Sequence, residues 1–127
     1  MAELSSYVSV RLVFIIALLN SGITGMGGVK MNHAIVAFDV DGCLIDIYGQ
    51  TNMNMVDLAR FFHSIGFSVV VWTGGGVDRA KQVVRETGLE DIAAAYAKGS
   101  IVPDICFDDM EVNLAEINIR VHPMQKE

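Results

Sequence analysis

Ala34-Ile35-Val36-Ala37-Phe38 is an unbroken apolar run that ends in Asp39, the pattern of a strand covered on both faces. Gly42–Gly49 then reads as a loop or small hairpin bounded by glycines. Met55, Leu58, Ala59, Phe62 and Ile65 recur at helical spacing, with Asn54 as the cap, Asp57 in the first turn and Gly66 as the stop. Ser68–Trp72 predicts a second buried strand that ends at Thr73-Gly74-Gly75-Gly76. A second helix runs from about Val77 to Thr87, with Ala80, Val83 and Val84 inward and Gly88 closing it. Ile92–Tyr96 reads as a short third strand, and Asp104–Phe107 as a fourth that ends at Asp108-Asp109. A turn of helix near Val112–Ile117 and a last strand over Asn118–Val121 finish the pattern, with no internal repeat.

Strands alternating with helices predict an α/β fold: a Rossmann-like three-layer sandwich whose mainly parallel sheet carries helices on both faces. Such sheets bind ligands at the carboxyl ends of their strands. Asp39 and Asp41 follow the first strand, Thr73-Gly74 the second and Asp108-Asp109 the fourth, with Lys98 ahead of the fourth. One edge therefore gathers four carboxylates, a hydroxyl, glycine amides and an ammonium.

Length and charge narrow the field. A chain of 127 residues suits one domain. Its 52% hydrophobic content argues against disorder. Arg11, Lys30 and Glu3 are the only charges in the first thirty residues, which leaves a net of −7 to the domain at 31–127. That acidity gives no reason to expect a nucleic-acid or membrane partner. Cys43 and Cys106 lie far apart, which excludes a disulfide scaffold and a cysteine zinc site and implies a reducing, cytoplasmic setting. Residues 1–30 admit three readings. They are a start-site extension ahead of Met31, whose Gly27-Gly28 pair can be encoded by a ribosome-binding sequence; a packed extra element; or a signal or anchor built on Leu12–Leu19, too short for a membrane-spanning helix.

Clustered carboxylates repel one another unless a hard cation lies between them, and an all-oxygen set without His or Cys suits Mg²⁺. Asp39, Asp41, Asp108 and Asp109 are the candidate metal ligands. Thr73, with the backbone of Gly42 and Gly74, is placed to bind phosphoryl oxygens, and Lys98 to add a point charge. Asp39 can serve as a nucleophile that forms an aspartyl-phosphate. Asp41 can protonate the leaving oxygen and later take a proton from water.

Asp39-Val40-Asp41-Gly42-Cys43-Leu44 resembles the first motif of the haloacid dehalogenase-like phosphatases, in which the first Asp is the nucleophile and the second the general acid/base. Val69–Gly74 resembles their second motif, Lys98 fits the third, and Ile105–Asp109 with Asn113 is similar to the fourth. The resemblance runs from about Ile35 to Val121 and implies a Mg²⁺-dependent phosphomonoester hydrolase acting on a phosphorylated substrate. Asp41 selects phosphate-ester hydrolysis within that family over removal of halogen. Cys43 stands where the family usually has Thr or Val. Lys98 lacks the typical following proline, so Lys81 competes, although it falls in the body of a helix. Residues 45–72 and 74–97 leave no room for a cap domain. Capless members often take bulky substrates or borrow a lid from a second subunit, which makes a homo-oligomer an expectation.

Blander readings exist for each part. Asp41-Gly42 is a common turn, Asp108-Asp109 can cap a helix, and the glycines after Thr73 can be a plain loop. His33, His63 and His122 read as isolated, and Met31, Met53, Met55, Met110 and Met124 as core or loop-flanking residues. Tyr48 and Trp72 flank the predicted pocket as substrate contacts or as core. Two rival functions are a receiver-like phospho-accepting domain, whose motif order disagrees, and an inactive module of the same fold kept for binding.

Overall fold

The computed structural model describes residues 34–122, so the three readings of residues 1–30 lie outside the described residues, as do Met31, His33 and Met124. The elements are β1 (Ile35–Asp39), α1 (Met53–Ser64), β2 (Ser68–Thr73), α2 (Val77–Glu86), β3 (Ala93–Ala97), β4 (Ile105–Asp108) and β5 (Ile117–Arg120). All five strands pair in parallel, in the order β3-β2-β1-β4-β5. The chain first winds outward from β1 to β3 and then restarts on the other side of β1, so the order reverses between β1 and β4. Open α/β sheets bind ligands at that switch point.

The registers align the strand ends. Asp39 lies opposite Trp72, Thr73 opposite Ala97, and Phe38 opposite Phe107. Asp39, Thr73, Lys98 and Asp108 must then emerge together at the carboxyl edge.

Both helices cover one face. Leu58, Ala59 and Phe62 of α1 and Ala80, Val83 and Val84 of α2 share a buried cluster with Val36, Phe38, Val71, Ile105 and Phe107. Phe38 and Phe107 stack at 5.0 Å, and Phe62 meets both edge-on at 6.2 and 5.8 Å. The predicted second layer of helices is absent among the described residues. Right-handed crossovers that run back past β1 must cover the opposite face. Here those connections have only seven and eight residues, short of the dozen or so that a helical crossover takes. Ile101, Val112, Leu114 and Ala115 instead pack irregularly against Ala37, Val70, Trp72 and Cys106.

The turn of helix expected near Val112–Ile117 does not form. Asn118 Oδ1 accepts the N–H groups of Leu114 and Ala115 at 2.9 and 3.1 Å, and its Nδ2 donates to the Ala115 carbonyl at 2.8 Å. The side chain thus takes up backbone groups that a helix would pair internally. Helix α1 also begins earlier than predicted. Asn52, not Asn54, occupies the cap position and takes the Met55 and Val56 N–H groups on its carbonyl, without a side-chain cap. No helix among the described residues is long and apolar enough to cross a membrane.

Candidate active site

The floor of the site consists of strand termini. Asp39 closes β1 and is 6% exposed, and Asp108 closes β4 and is fully buried. Carboxylate oxygens of Asp39, Asp108 and Asp109 lie within 4.8 Å of one another. Three like charges at that spacing are untenable alone, and two responses are visible. Burial first, and the Asp108 charge second, push the Asp39 carboxyl up to about 7, with Lys98 opposing. The Lys98 ammonium lies 2.6 Å from Asp108 Oδ2 and 3.5 Å from Asp39 Oδ1. Burial pulls the Lys98 pKa down, but the Asp108 hydrogen bond and the two carboxylate charges outweigh it and leave the group above its ordinary value. Lys98 is therefore the lysine of the site, and Lys81 is exposed on α2.

Local backbone geometry holds these groups. Asp108 Oδ1 accepts the Met110 N–H at 2.9 Å, which turns the chain after β4 and directs Asp109 back toward β1. Gly42 has φ +79°, and a Cβ there would run into the Asp109 carboxylate. Glycine at that position is thus both a conformational and a steric requirement, set by the Asp109 carboxylate beside it. Thr73 is buried. Its Oγ1 accepts the Gly75 N–H at 3.1 Å, which leaves the hydroxyl proton available to a ligand. The Thr73 carbonyl accepts the Lys98 N–H at 3.1 Å and so fixes the lysine backbone beside β2. Gly74 is exposed with open space around it, and nothing in the fold itself demands glycine there.

Asp41 departs from the expected metal set. Its side chain is 78% exposed, it faces Arg79 at 3.9 Å, and it stands apart from the three clustered carboxylates. The backbone turn after Asp39, in which the Cys43 and Ile45 N–H groups bond the Val40 carbonyl, directs it outward. That position suits proton exchange with a leaving group better than ligation. Asn113 is exposed and accepts from Asn118 Nδ2 at 3.4 Å, also outside the cluster.

Two residues escaped the sequence reading. Arg79, in the first turns of α2, pairs with Asp41, and Arg120, at the end of β5, donates from Nε to the Asp109 carbonyl at 3.3 Å. Arg120 was findable by the same strand-end reasoning as the aspartates. Arg79 carries no such signal, because its role depends on where α2 begins. Trp72 is core, being fully buried, whereas Tyr48 is 60% exposed. Met55 is buried, and Met53 and Met110 flank loops. Beneath the floor, Cys43 Sγ approaches the Phe107 carbonyl at 3.8 Å, and burial pushes the Cys106 thiol up to about 12. His63 lines an open cavity of about 390 Å³ with Phe67, Ser68 and Ile92, at the amino edge and remote from the carboxylates.

The donor set is hard, anionic and all oxygen, and it fits a hard metal cation. No protein-family model, curated protein or solved structure matches the chain.

Proposed function

We propose that the chain is a Mg²⁺-dependent phosphomonoester hydrolase that works through an aspartyl-phosphate, in line with its motif resemblance to capless haloacid dehalogenase-like phosphatases. One observation carries the reading: Asp39, Asp108 and Asp109 converge within 4.8 Å while Lys98 spans Asp39 and Asp108. Asp39, Asp108 and Asp109 would hold the cation, which when bound offsets the carboxylate charges and those of the phosphoryl oxygens.

The protein groups divide the remaining work. A carboxylate oxygen of Asp39 attacks phosphorus as the bond to the leaving oxygen breaks, and Asp41 supplies that oxygen with a proton. Asp41, now a carboxylate, takes a proton from a water that attacks phosphorus. Phosphate leaves and the Asp39 carboxylate is restored. The Thr73 hydroxyl and Lys98 Nζ bind phosphoryl oxygens through both steps. The exposed position of Asp41 gives it access to a leaving group and then to water. The two free, buried cysteines, Cys43 and Cys106, suit a reducing compartment, and the reading locates the protein in the cytoplasm.

The test is release of inorganic phosphate from an aryl phosphate with and without Mg²⁺, for the wild type and Asp39→Asn. Turnover should need Mg²⁺ and disappear in the variant. Turnover that survives either change overturns the reading. Cation binding without turnover would assign a binding module, and a long-lived phosphoprotein a receiver-like role.

A further inference from the structure

Five of the eight large apolar side chains exposed among the described residues stand on the loops and helix starts at the carboxyl edge, the other three being Ile65, Tyr96 and Val102. Ile47 and Tyr48 on the β1–α1 loop are 59% and 60% exposed, and Met110 on the β4–β5 loop is 62% exposed. Met53 and Val77, the first residues of α1 and α2, are exposed at the same edge of the sheet. The two loops meet, because Gly42 abuts Asp109, and Arg79 ties α2 to the β1–α1 loop through Asp41. An apolar rim thus surrounds a floor of buried carboxylates.

The rim offers little to further negative charge. Residues 40–52 and 109–116 contain no Lys or Arg, yet hold Asp41, Asp46, Asp109, Glu111 and Glu116. Two guanidinium groups lie nearby: Arg79 faces Asp41 and Glu86, each at 3.9 Å, and Arg120 donates from Nε to the Asp109 carbonyl. Water-exposed Ile, Tyr and Met tips beside a catalytic floor gain by covering apolar surface. A second anionic group there would meet a rim on which the five acidic side chains outnumber the two nearby guanidinium groups.

We infer, resting on the hydrolase reading above, that the substrate is a phosphate monoester of an aromatic or otherwise apolar alcohol, with no second anionic group. Tyr48 and Met110 cover its apolar part, and Asp39 attacks its only phosphate.

Esters with similar leaving-group basicity isolate this contact. Hydrolysis of 3-phenylpropyl, propyl and 3-carboxypropyl phosphate is compared on the Mg²⁺-loaded protein, together with calorimetric binding of the matching phosphonates. The phenylpropyl ester should have about tenfold higher kcat/KM than the propyl ester, as one partly covered ring implies. The carboxypropyl ester should be poorest. Binding of the phenylpropyl phosphonate should show the negative heat-capacity change of apolar burial. The double variant Tyr48→Ser with Met110→Ser should bring the phenylpropyl-to-propyl ratio toward one, and Tyr48→Phe should keep it. Equal rates for all three esters, or a preference for the carboxylate, overturn the inference and leave the hydrolase reading intact. No hydrolysis of any ester overturns both. A dimer that Tyr48→Ser dissociates assigns the rim to a second copy and overturns it too.

Discussion

The same five parallel strands end in two very different edges. At the carboxyl edge Asp39 and Asp108 are buried and answered by Lys98. At the amino edge Asp104 is exposed and accepts the Ile35 N–H on its Oδ2 at 2.7 Å, and the open cavity at His63 lies at the same edge. Asp104 meets the backbone while still in water, whereas Asp39 and Asp108 are held against their own solvation. The contrast teaches where this fold accepts electrostatic cost: where loops from β1, β2 and β4 converge, and not where the strands begin.

Four substitutions sharpen or break that contrast. The largest effect is expected for Asp41→Asn, which should lower kcat by about 10²–10⁴-fold, the usual loss when general acid/base help is removed. Steady-state rates check it, and an unchanged kcat would return Asp41 to a structural turn. Gly42→Ala should weaken Mg²⁺ affinity by about 10–100-fold, because the added Cβ displaces Asp109. Titration calorimetry reads that loss.

Third comes the pH dependence. The folded Asp39 carboxyl keeps its proton to about 7, whereas an unfolded one loses it near 3.8. Between those values the native state binds more protons, so this group's contribution to stability is greatest below about 4 and falls as pH rises to 7. Metal-free Asp39→Asn should therefore match the wild-type melting temperature near pH 4 and exceed it by about 5 °C at pH 8. Added Mg²⁺ should shrink the gap. Equal melting at both pH values would remove the claim that the carboxyl edge is costly. Smallest is His63→Ala at the amino edge, expected to change stability by no more than about 0.5 kcal/mol and to leave turnover untouched.

Much of the carboxyl edge was legible in the chain, and for a definite reason. Continuous apolar runs fix where β1, β2 and β4 stop, and parallel pairing then brings Asp39, Thr73 and Asp108 together. Lys98 was separable from Lys81 because one follows a strand and the other is inside a helix. Asp41, expected with the metal ligands, stands outside the carboxylate cluster because its direction depends on a turn closed by the Val40 carbonyl, which strand spacing does not encode. The irregular second face was hidden for a similar reason. The apolar residues Val112 and Leu114 were read as helical, but Asn118 competes for the same backbone groups.

The seven-residue connection from β3 to β4 has little length to spare. It is pinned at one end by the Lys98 N–H on the Thr73 carbonyl and at the other by the Asp104 N–H on the Ile35 carbonyl. Ala97 and Ile105 stand three strand spacings apart across the sheet and about four residues apart along it, or roughly 20 Å. Eight peptide steps reach at most about 28 Å, and the turn at Ser100 consumes part of that length. A helix over the same residues would advance only about 12 Å and fall short. The ammonium thus stands at the pinned start of an extended connection with only a few ångströms to spare. Losing two residues would leave the turn and the span competing for the same length and pull the charge off its carboxylates, while gaining one would merely loosen the cord.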